Sequence, residues 1–345
     1  PCALGLATPL AIDAALGQAA RRGILIKGGD VIEALSRPAR LLLDKTGTLT
    51  EGVMRVAAWR GDESARVLAA AVEAHSLHPT AEAMRRAAAT GQERADATQV
   101  EEVIGGGVRG VVGSHRVQVG SRTFVEGDGI HVGPDMEAAA RDLVGQGLTP
   151  VFIGVDGVAV AVAGLGDPLR GDAASAIGEM MGRGWDIGIV SGDHPEIVAQ
   201  AARRLGIAPE RAVGSATPED KLAIVSDPAW SGATVIVGDG VNDAAAIAGA
   251  TVGIAAHAGA EASLAAADVY LSRPGLGALV ELTDGARRTV GVIRRNLAIS
   301  LGYNMVFASL ALAGVITPLL AAVLMPVSSL TVITLSYRSR SFGVR

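Results

Sequence analysis

A single cysteine, Cys2, in 345 residues excludes any internal disulfide framework. The chain also lacks a basic excess. Thirty Lys and Arg against 35 Asp and Glu leave a net charge of −5, with a pI near 5.7, so there is no electrostatic footprint for nucleic acid. No initiator Met precedes Pro1 and no signal peptide opens the chain, so a fragment of a longer protein is expected. Aromatic residues make up only 3%. With 45 glycines and a mean hydropathy of +0.37, that scarcity implies an α/β architecture joined to membrane segments. The length suffices for two or three compact units.

The most informative stretch present is Asp44-Lys45-Thr46-Gly47-Thr48-Leu49-Thr50, preceded by the apolar run Arg40-Leu41-Leu42-Leu43. The run predicts a buried strand that delivers a carboxylate at its C-terminal end, where open α/β sheets hold their ligands. Such a carboxylate, with a lysine, two threonines and a close-approach glycine after it, suits attack on phosphorus and formation of an aspartyl phosphate, so Asp44 is the candidate nucleophile. Two more apolar runs lead into carboxylate loops. Asp186–Val190 precedes Ser191-Gly192-Asp193, and Ala233–Val237 precedes Gly238-Asp239-Gly240-Val241-Asn242-Asp243. Each run is followed by an Ala-rich helical stretch, the repeat of a parallel doubly wound sheet, so all three loops are expected at one sheet edge. Asp239 suits Mg²⁺, held through oxygen beside the nucleophile. Lys221, in Thr217-Pro218-Glu219-Asp220-Lys221, brings a positive charge for phosphoryl oxygens, and Ser191 and Asn242 supply neutral donors.

Two windows near the C-terminus, Asn296 to Ile316 and Pro318 to Ser336, carry no charged side chain. Each is about 20 residues long and able to cross the roughly 30 Å hydrocarbon layer. Arg287, Arg288, Arg294 and Arg295 precede the pair, and Arg338, Arg340 and Arg345 follow it, which orients both ends toward the cytoplasm. A third apolar stretch, Pro1 to about Leu16, reads as the inner half of a span, with Pro1 and Pro9 expected to break or kink it and free backbone groups near an ion path. Cys2, Tyr303, Asn304, Met325 and Ser329 lie in these segments, with Met325 and Ser329 one helical turn apart. Sulfur from Cys2 and Met325 suits a soft ion such as Cu(I), whereas a divalent ion such as Zn²⁺ normally recruits carboxylate or imidazole.

The Asp44 heptad resembles the phosphorylation signature of P-type ATPases, and the order of the later loops resembles their haloacid-dehalogenase-like phosphorylation domain. That resemblance implies that Asp44 carries the phosphate, that Asp239 binds Mg²⁺ with help from the Thr46 main-chain carbonyl, and that Asp243 supports the Asp239 loop. Ser191 stands where the family more often has Thr, and Asp167-Pro168-Leu169-Arg170 resembles the hinge segment leading back into the domain. His78-Pro79, with Glu73 and Ser76 before it, resembles the heavy-metal subgroup's Ser-Glu-His-Pro nucleotide motif, although Leu77 replaces a Glu. Gly105 and Gly107 resemble the glycine pair against which adenine rests. Pro1-Cys2 followed by Ala3 to Pro9 is similar to the end of the Cys-Pro-Cys motif of heavy-metal P-type ATPases. Tyr303, Asn304, Met325 and Ser329 are similar to transport-site positions of the copper and silver subgroup. The Ser336 to Ser341 tail departs from the Asn-Ala-Leu-Arg ending common among copper exporters.

The expected fold is therefore α/β: a Rossmannoid phosphorylation domain with an inserted α+β nucleotide-binding domain, plus a C-terminal transmembrane helix pair. Expected boundaries are residues 1–27 for the end of a membrane helix and its extension, 28–52 and 164–284 for the split phosphorylation domain, and 53–163 for the nucleotide domain. Residues 285–337 form the helix pair and 338–345 a cytoplasmic tail. No Thr-Gly-Glu actuator motif is present, and the nearest string, Thr90-Gly91-Gln92, lacks the carboxylate. The resemblance implies ATP and Mg²⁺ as cofactors, Cu(I) or Ag(I) as cargo, and a multi-pass membrane protein with cytoplasmic catalytic domains. Membrane lipid and a cytosolic copper chaperone or thiol donor are the implied partners. Open alternatives are a divalent cargo such as Zn²⁺ or Cd²⁺, a soluble phosphatase of the same superfamily, and a metal-binding membrane subunit with a decayed ATPase domain.

Overall fold

The structure is a computed structural model, and it describes residues 2–76, 78–88, 95–103, 106–238, 243–256 and 265–343. The chain divides into two compact units, one built from Pro1–Leu49 and Gly171–Arg345 and the other from Thr50–Arg170. The sequence expected the inserted segment at 53–163.

The larger unit is organised on a seven-stranded sheet in the order β1-β13-β12-β11-β2-β9-β10. Its strands are β1 (Ile24–Ile26), β2 (Arg40–Leu43), β9 (Asp186–Val190), β10 (Ala212–Val213), β11 (Thr234–Gly238), β12 (Val252–Ala255) and β13 (Val269–Leu271). All neighbours run parallel except β1, which pairs antiparallel with β13 at one edge. After their first residues, Arg40, Asp186 and Thr234, the strands β2, β9 and β11 are apolar, because helices cover both faces of such a sheet. Leu41 and Leu43 of β2, Ile189 of β9 and Ile254 of β12 are all fully buried. Register does the positioning. Leu43 lies opposite both Ile189 of β9 and Val237 of β11, so the loops after these strands start at one level of the sheet's C-terminal edge. That edge, beside the strand where chain order reverses, is where open α/β sheets bind ligands.

The smaller unit is a six-stranded antiparallel sheet ordered β3-β8-β7-β6-β5-β4. Its strands are β3 (Arg55–Gly61), β4 (Ala97–Val103), β5 (Gly107–Val112), β6 (His115–Gly120), β7 (Thr149–Val155) and β8 (Val158–Gly166). One core packs Trp59, Val72, Met84, Val119 and Ile153 together, and a second joins Val125, Leu143, Phe152 and Val162. The sheet is thus covered on both faces. The two passages of chain at the unit's edge are tied to each other. Asp167 accepts from Thr50 Oγ1 at 2.5 Å and from the Gly52 and Val53 amides at 2.9 and 3.2 Å, and Thr50 bridges to Leu169.

Three long helices complete the larger unit: Cys2–Ala20, Gly277–Leu312 and Pro318–Tyr337. The first presents Ala7, Ala11, Ala15 and Ala19 at i, i+4 spacing, each at most 1% exposed, the small-residue stripe that lets helices approach closely. Val332 and Leu297 meet Ala7 there. The first helix includes Pro9 in its interior and does not break there, which leaves one backbone hydrogen bond unmade at that turn. Among the described residues one helix, Leu319–Tyr337, is long and apolar enough by length and composition to cross a membrane, and the helix Gly277–Leu312 carries most of the other expected window. Asn296, Tyr303 and Asn304 dilute the earlier stretch, and its helix stops at Leu312 before the left-handed Gly314. The side chains of Leu312 and Leu319, 92% and 78% exposed, have no protein cover.

Candidate active site

Asp44 leaves β2 with its amide bound to the Val237 carbonyl at 2.9 Å, which seats it against β11. The chain then turns sharply. Thr46 is extended (φ −72°, ψ 128°) and Gly47 is left-handed (φ 71°), a conformation that disfavours side-chain-bearing residues. The next strand, β11, ends at Gly238, where a Cβ would fall 2.5 Å from Asp243 Oδ2. A glycine there lets the Asp243 carboxylate fold back over the sheet edge.

Lys221 joins these carboxylates. It sits in the first turn of the helix Pro218–Val225, whose start is fixed by Pro218 and by a reciprocal Thr217–Asp220 capping box. Its Nζ donates to Asp44 Oδ1 and to Asp243 Oδ1, both at 2.6 Å. Asp44, Lys221 and Asp243 are 6%, 5% and 2% exposed, so this is a buried triad of one cation between two anions. Burial pushes the Lys221 ammonium down, but the charges and hydrogen bonds of Asp44 and Asp243 outweigh it and hold its pKa above the ordinary lysine value.

A second ion pair lies beside it. Lys45 Nζ meets Asp193 Oδ2 at 2.9 Å, and the same oxygen accepts from Ser191 Oγ at 2.9 Å and Thr46 Oγ1 at 3.3 Å. Burial raises the Asp193 pKa, yet Lys45, Ser191 and Thr46 together bring it below the usual carboxylate range. The structure thus brings Asp44, Lys45, Thr46, Ser191, Asp193, Lys221 and Asp243 to one edge, with Gly192 in the Ser191–Asp193 loop. Asp239 and Asn242 lie outside the described residues. Sequence reasoning missed that Asp193 gathers Lys45, Thr46 and Ser191. The donors offered at this edge are oxygens, carboxylate and main-chain carbonyl, which fit a hard cation such as Mg²⁺. Among the described residues no group of three or more His, Cys, Asp or Glu is arranged around one point.

The smaller unit holds a separate cavity of about 380 Å³, lined by Glu73, Ser76, His78, Thr80, Glu102, Gly107 and Ser121 among others. Glu73 lies in a helical turn, Glu73–His75, and His78-Pro79 opens the helix Pro79–Ala88. The His78 amide donates to Ser76 Oγ at 3.2 Å, and His78 Nδ1 accepts from the Thr80 amide at 3.2 Å. Gly107 is needed for close approach, because a Cβ there would meet the Val119 carbonyl at 2.1 Å. Gly105 lies outside the described residues. Glu73 is 3% exposed. Burial, and after it repulsion from Glu102, raises its pKa to about 7 against the pull of Arg85. Glu102 was not singled out from the sequence. It follows another acid on β4, and only the alternation of strand side chains separates it from Glu101, which pairs with Arg109.

In the helical region, Tyr303 Oη donates to the Leu324 carbonyl at 2.8 Å, tying the second and third helices together next to Met325. Met325 is 53% exposed, and Ser329 Oγ donates to its carbonyl at 3.4 Å. Asn304 is half-buried. The Cys2 side chain lies outside what the structure describes. A polar clasp not anticipated from sequence, Asn296 Nδ2 to Ser336 Oγ at 2.9 Å, is fully buried between the same helices.

Comparison with known proteins bears on this arrangement. The family model for haloacid dehalogenase-like hydrolases matches residues 40–251. A probable copper-exporting P-type ATPase V of Mycobacterium tuberculosis is 38% identical over 350 residues, covering 99% of this chain and 45% of that protein. A manganese-exporting P-type ATPase of Mycobacterium bovis is also 38% identical, over 98% of this chain and 48% of its own. A crystal structure of a zinc-transporting PIB-type ATPase superposes with a TM-score of 0.88 at 34% identity, over 98% of this chain and 56% of that one. The chain belongs to the heavy-metal P-type ATPases, within the haloacid dehalogenase-like hydrolases. It spans less than half the length of these two curated relatives. In this P-type ATPase chain the loop after β2 carries Asp44, and the smaller unit holds the carboxylate-lined cavity.

The buried triad makes Lys221→Met informative for stability. Removing the cation leaves Asp44 and Asp243 buried without it, which costs about 3–5 kcal/mol near neutral pH. Because the folded-state pKa of Lys221 lies above the ordinary lysine value, its stabilisation is present below that value and lost as pH rises through the folded one, so the deficit should shrink in the strongly alkaline range. Thermal unfolding of both proteins across pH checks this, and an equal deficit at every pH would contradict it.

Proposed function

We propose that the protein uses ATP to move a soft monovalent metal ion, Cu(I) or Ag(I), across a membrane through an aspartyl phosphate on Asp44. The observation that carries the enzymatic half is the buried contact of Asp44 with Lys221, 2.6 Å long, at the C-terminal end of β2. A carboxylate oxygen of Asp44 attacks the γ-phosphorus of ATP, the P–O bond to the β-phosphate breaks, and ADP leaves with that electron pair. Lys221 faces the negative charge that develops on the transferring group, while Asp243 keeps the ammonium charged and in place. Asp193 orients Lys45, Thr46 and the Ser191 hydroxyl beside the phosphoryl position. Mg²⁺, held by the Asp44 carboxylate, the Thr46 carbonyl and Asp239, would neutralise charge on the phosphates. Water then cleaves the acyl phosphate and returns Asp44.

In the smaller unit, Glu73, His78 with Pro79, Gly105 and Gly107 would hold the adenosine end of the nucleotide, with the buried carboxyl offering hydrogen bonds to the base. The exposed apolar helix Leu319–Tyr337 supports seating in a bilayer, 11% buried as it is. With the helix Gly277–Leu312 it would form a multi-pass membrane region whose catalytic units face the cytoplasm.

The choice of cargo rests on donor chemistry, because relatives and structural neighbours are named for copper, manganese and zinc alike. Cys2 and Met325 offer soft sulfur, and Tyr303, Asn304 and Ser329 are uncharged. Without carboxylate in either apolar window, one positive charge beside a thiolate leaves little net charge in hydrocarbon, and two would leave an excess. A cytosolic thiol donor or copper chaperone would deliver such an ion. A divalent cargo is the second reading, favoured by the zinc and manganese names of the relatives.

Two outcomes follow. Asp44→Asn should abolish a hydroxylamine-sensitive phosphoenzyme formed from γ-labelled ATP while nucleotide binding persists, and labelling at wild-type level would remove Asp44 from the chemistry. In membranes from cells expressing the protein, Cu(I) or Ag(I) under reducing conditions should stimulate ATP hydrolysis more than Zn²⁺, Cd²⁺ or Mn²⁺. Cys2→Ser or Met325→Ala should lower that stimulation. Equal stimulation by the divalent ions would overturn the copper assignment and leave the ATPase assignment standing.

A further inference from the structure

The sheet of the larger unit is joined to the long helices at one place. The first helix leads through Gly23 into the edge strand β1, and the helix Gly277–Leu312 follows β13, with which β1 pairs. Both connections are lashed together there. Ser272 donates its amide and its Oγ to the Gly23 carbonyl at 2.8 and 3.0 Å, and Glu281 of the long helix takes Arg22 at 2.8 Å and Arg273 at 2.6 Å.

Further from the sheet the same two helices are joined by a third piece of chain, Arg338–Gly343, which follows the helix Pro318–Tyr337. Gln18 Nε2 donates to the Ser339 carbonyl at 2.7 Å, and Gln18 Oε1 accepts from the Phe342 amide at 3.1 Å. Arg288 Nε donates to the Ser341 carbonyl at 2.8 Å. Side chains of both helices thus hold the main chain of the segment. Phe342 is 4% exposed, and its ring occupies the space that Gly285 leaves empty, where a Cβ would fall 2.2 Å from Phe342 Cε1. Gln18 precedes Arg22, and Gly285 follows Glu281, by the same four positions. The segment is therefore the next tie after the Arg22–Glu281 pair. Beyond it come the Asn296–Ser336 clasp and the Tyr303 bond to the Leu324 carbonyl, so ties follow one another from β13 to the residues beside Met325.

A short polar segment after a helix finds hydrogen-bond partners in water at no cost in order. Here its main chain is paired by two long side chains, and fixing those costs rotamer entropy. What that cost secures is the spacing of the helix ends. We propose that Arg338–Gly343 is a strap that makes the two connections between sheet and helices move as one body, with Gln18 and Phe342 as positioning residues that carry metal occupancy to Asp44. The inference rests on the transport reading given above. Neither residue lines the cavity of the smaller unit or bonds to a group at the Asp44 edge, so the strap governs the response to metal and leaves the chemistry itself alone.

The test pairs a probe of the strap with a probe of coupling. Hydrogen exchange of the 345-residue chain in detergent reads the Phe342 amide, and ATP hydrolysis in membranes is measured with and without the metal ion that stimulates the wild type most. Phe342→Ala removes the ring. Gly285→Ala expels it while placing a better helix former in a helix interior, so any loss it causes comes from the strap. In each variant the Phe342-region amides should exchange about tenfold faster or more, as a local opening. Stimulation by metal should fall about fivefold or more, the size of an ordinary coupling between sites, while metal-free hydrolysis and ATP affinity stay at wild-type values. Because both changes break one contact, the double variant should be no worse than the more damaged single one. Wild-type stimulation in a variant whose strap exchanges fast would overturn the proposal, as would additive losses or a proportional fall of hydrolysis with and without metal. Exchange at the rate of an unstructured peptide in the wild type would overturn the strap itself. ATP hydrolysis that responds to no metal ion in the wild type would overturn the transport reading, and this inference with it.

Discussion

One ammonium between two buried carboxylates governs the larger unit. Lys221 reaches Asp44 on the β2 loop and Asp243 after β11, each at 2.6 Å. Neither carboxylate could stay ionised at this depth without a counter-charge, since an isolated buried ion costs far more than a folded domain has to spare. The constraint propagates outward. The helix Pro218–Val225 must start where its capping box places it, Gly238 must lack a side chain so that Asp243 can approach, and β2 must lie between β9 and β11 in register. A sheet with those strands in another order would separate the charges.

The neighbouring pair of Lys45 and Asp193 extends the same logic. Two cations and three carboxylates share one sheet edge, and the hydroxyls of Ser191 and Thr46 both point their protons at Asp193. The edge is therefore preorganised, with donors and charges fixed by buried strands and helix starts. That is the arrangement that lowers a barrier dominated by charge. The smaller unit uses the opposite device, two like charges in one cavity with Arg85 turned toward main-chain carbonyls.

Much of the larger unit is legible in the sequence for a simple reason. Runs such as Arg40–Leu43, Asp186–Val190 and Thr234–Gly238 are apolar after their first residue and lead into glycine-bearing polar loops, so strand, burial and loop chemistry coincide. What was not legible depends on distant partners. The antiparallel edge strand β1 is set by β13, nearly 250 residues on by chain order. Glu102 sits on β4, a strand exposed along most of its length, and its place in the cavity wall emerges only when β5 and the turn at Glu73 close around it. Whether Pro9 ends its helix is decided by tertiary packing, and the helix Cys2–Ala20, packed against the two long helices, runs on through it. The tail was equally unreadable: Gln18 donates to the Ser339 carbonyl and accepts from the Phe342 amide, and the Phe342 ring fills the space over Gly285. A short polar tail carries no periodicity from which that contact could be foreseen.

The central claim is that Asp44, the carboxylate held by Lys221, is the group that takes the phosphoryl. Reductive trapping tests it most directly. After brief exposure to ATP and Mg²⁺, borohydride converts an acyl phosphate to an alcohol, and peptide mass spectrometry locates the converted residue. The expected result is conversion at position 44 alone, dependent on ATP. Conversion at Asp193 or Asp243, or none at Asp44 in protein that binds ATP, would contradict it.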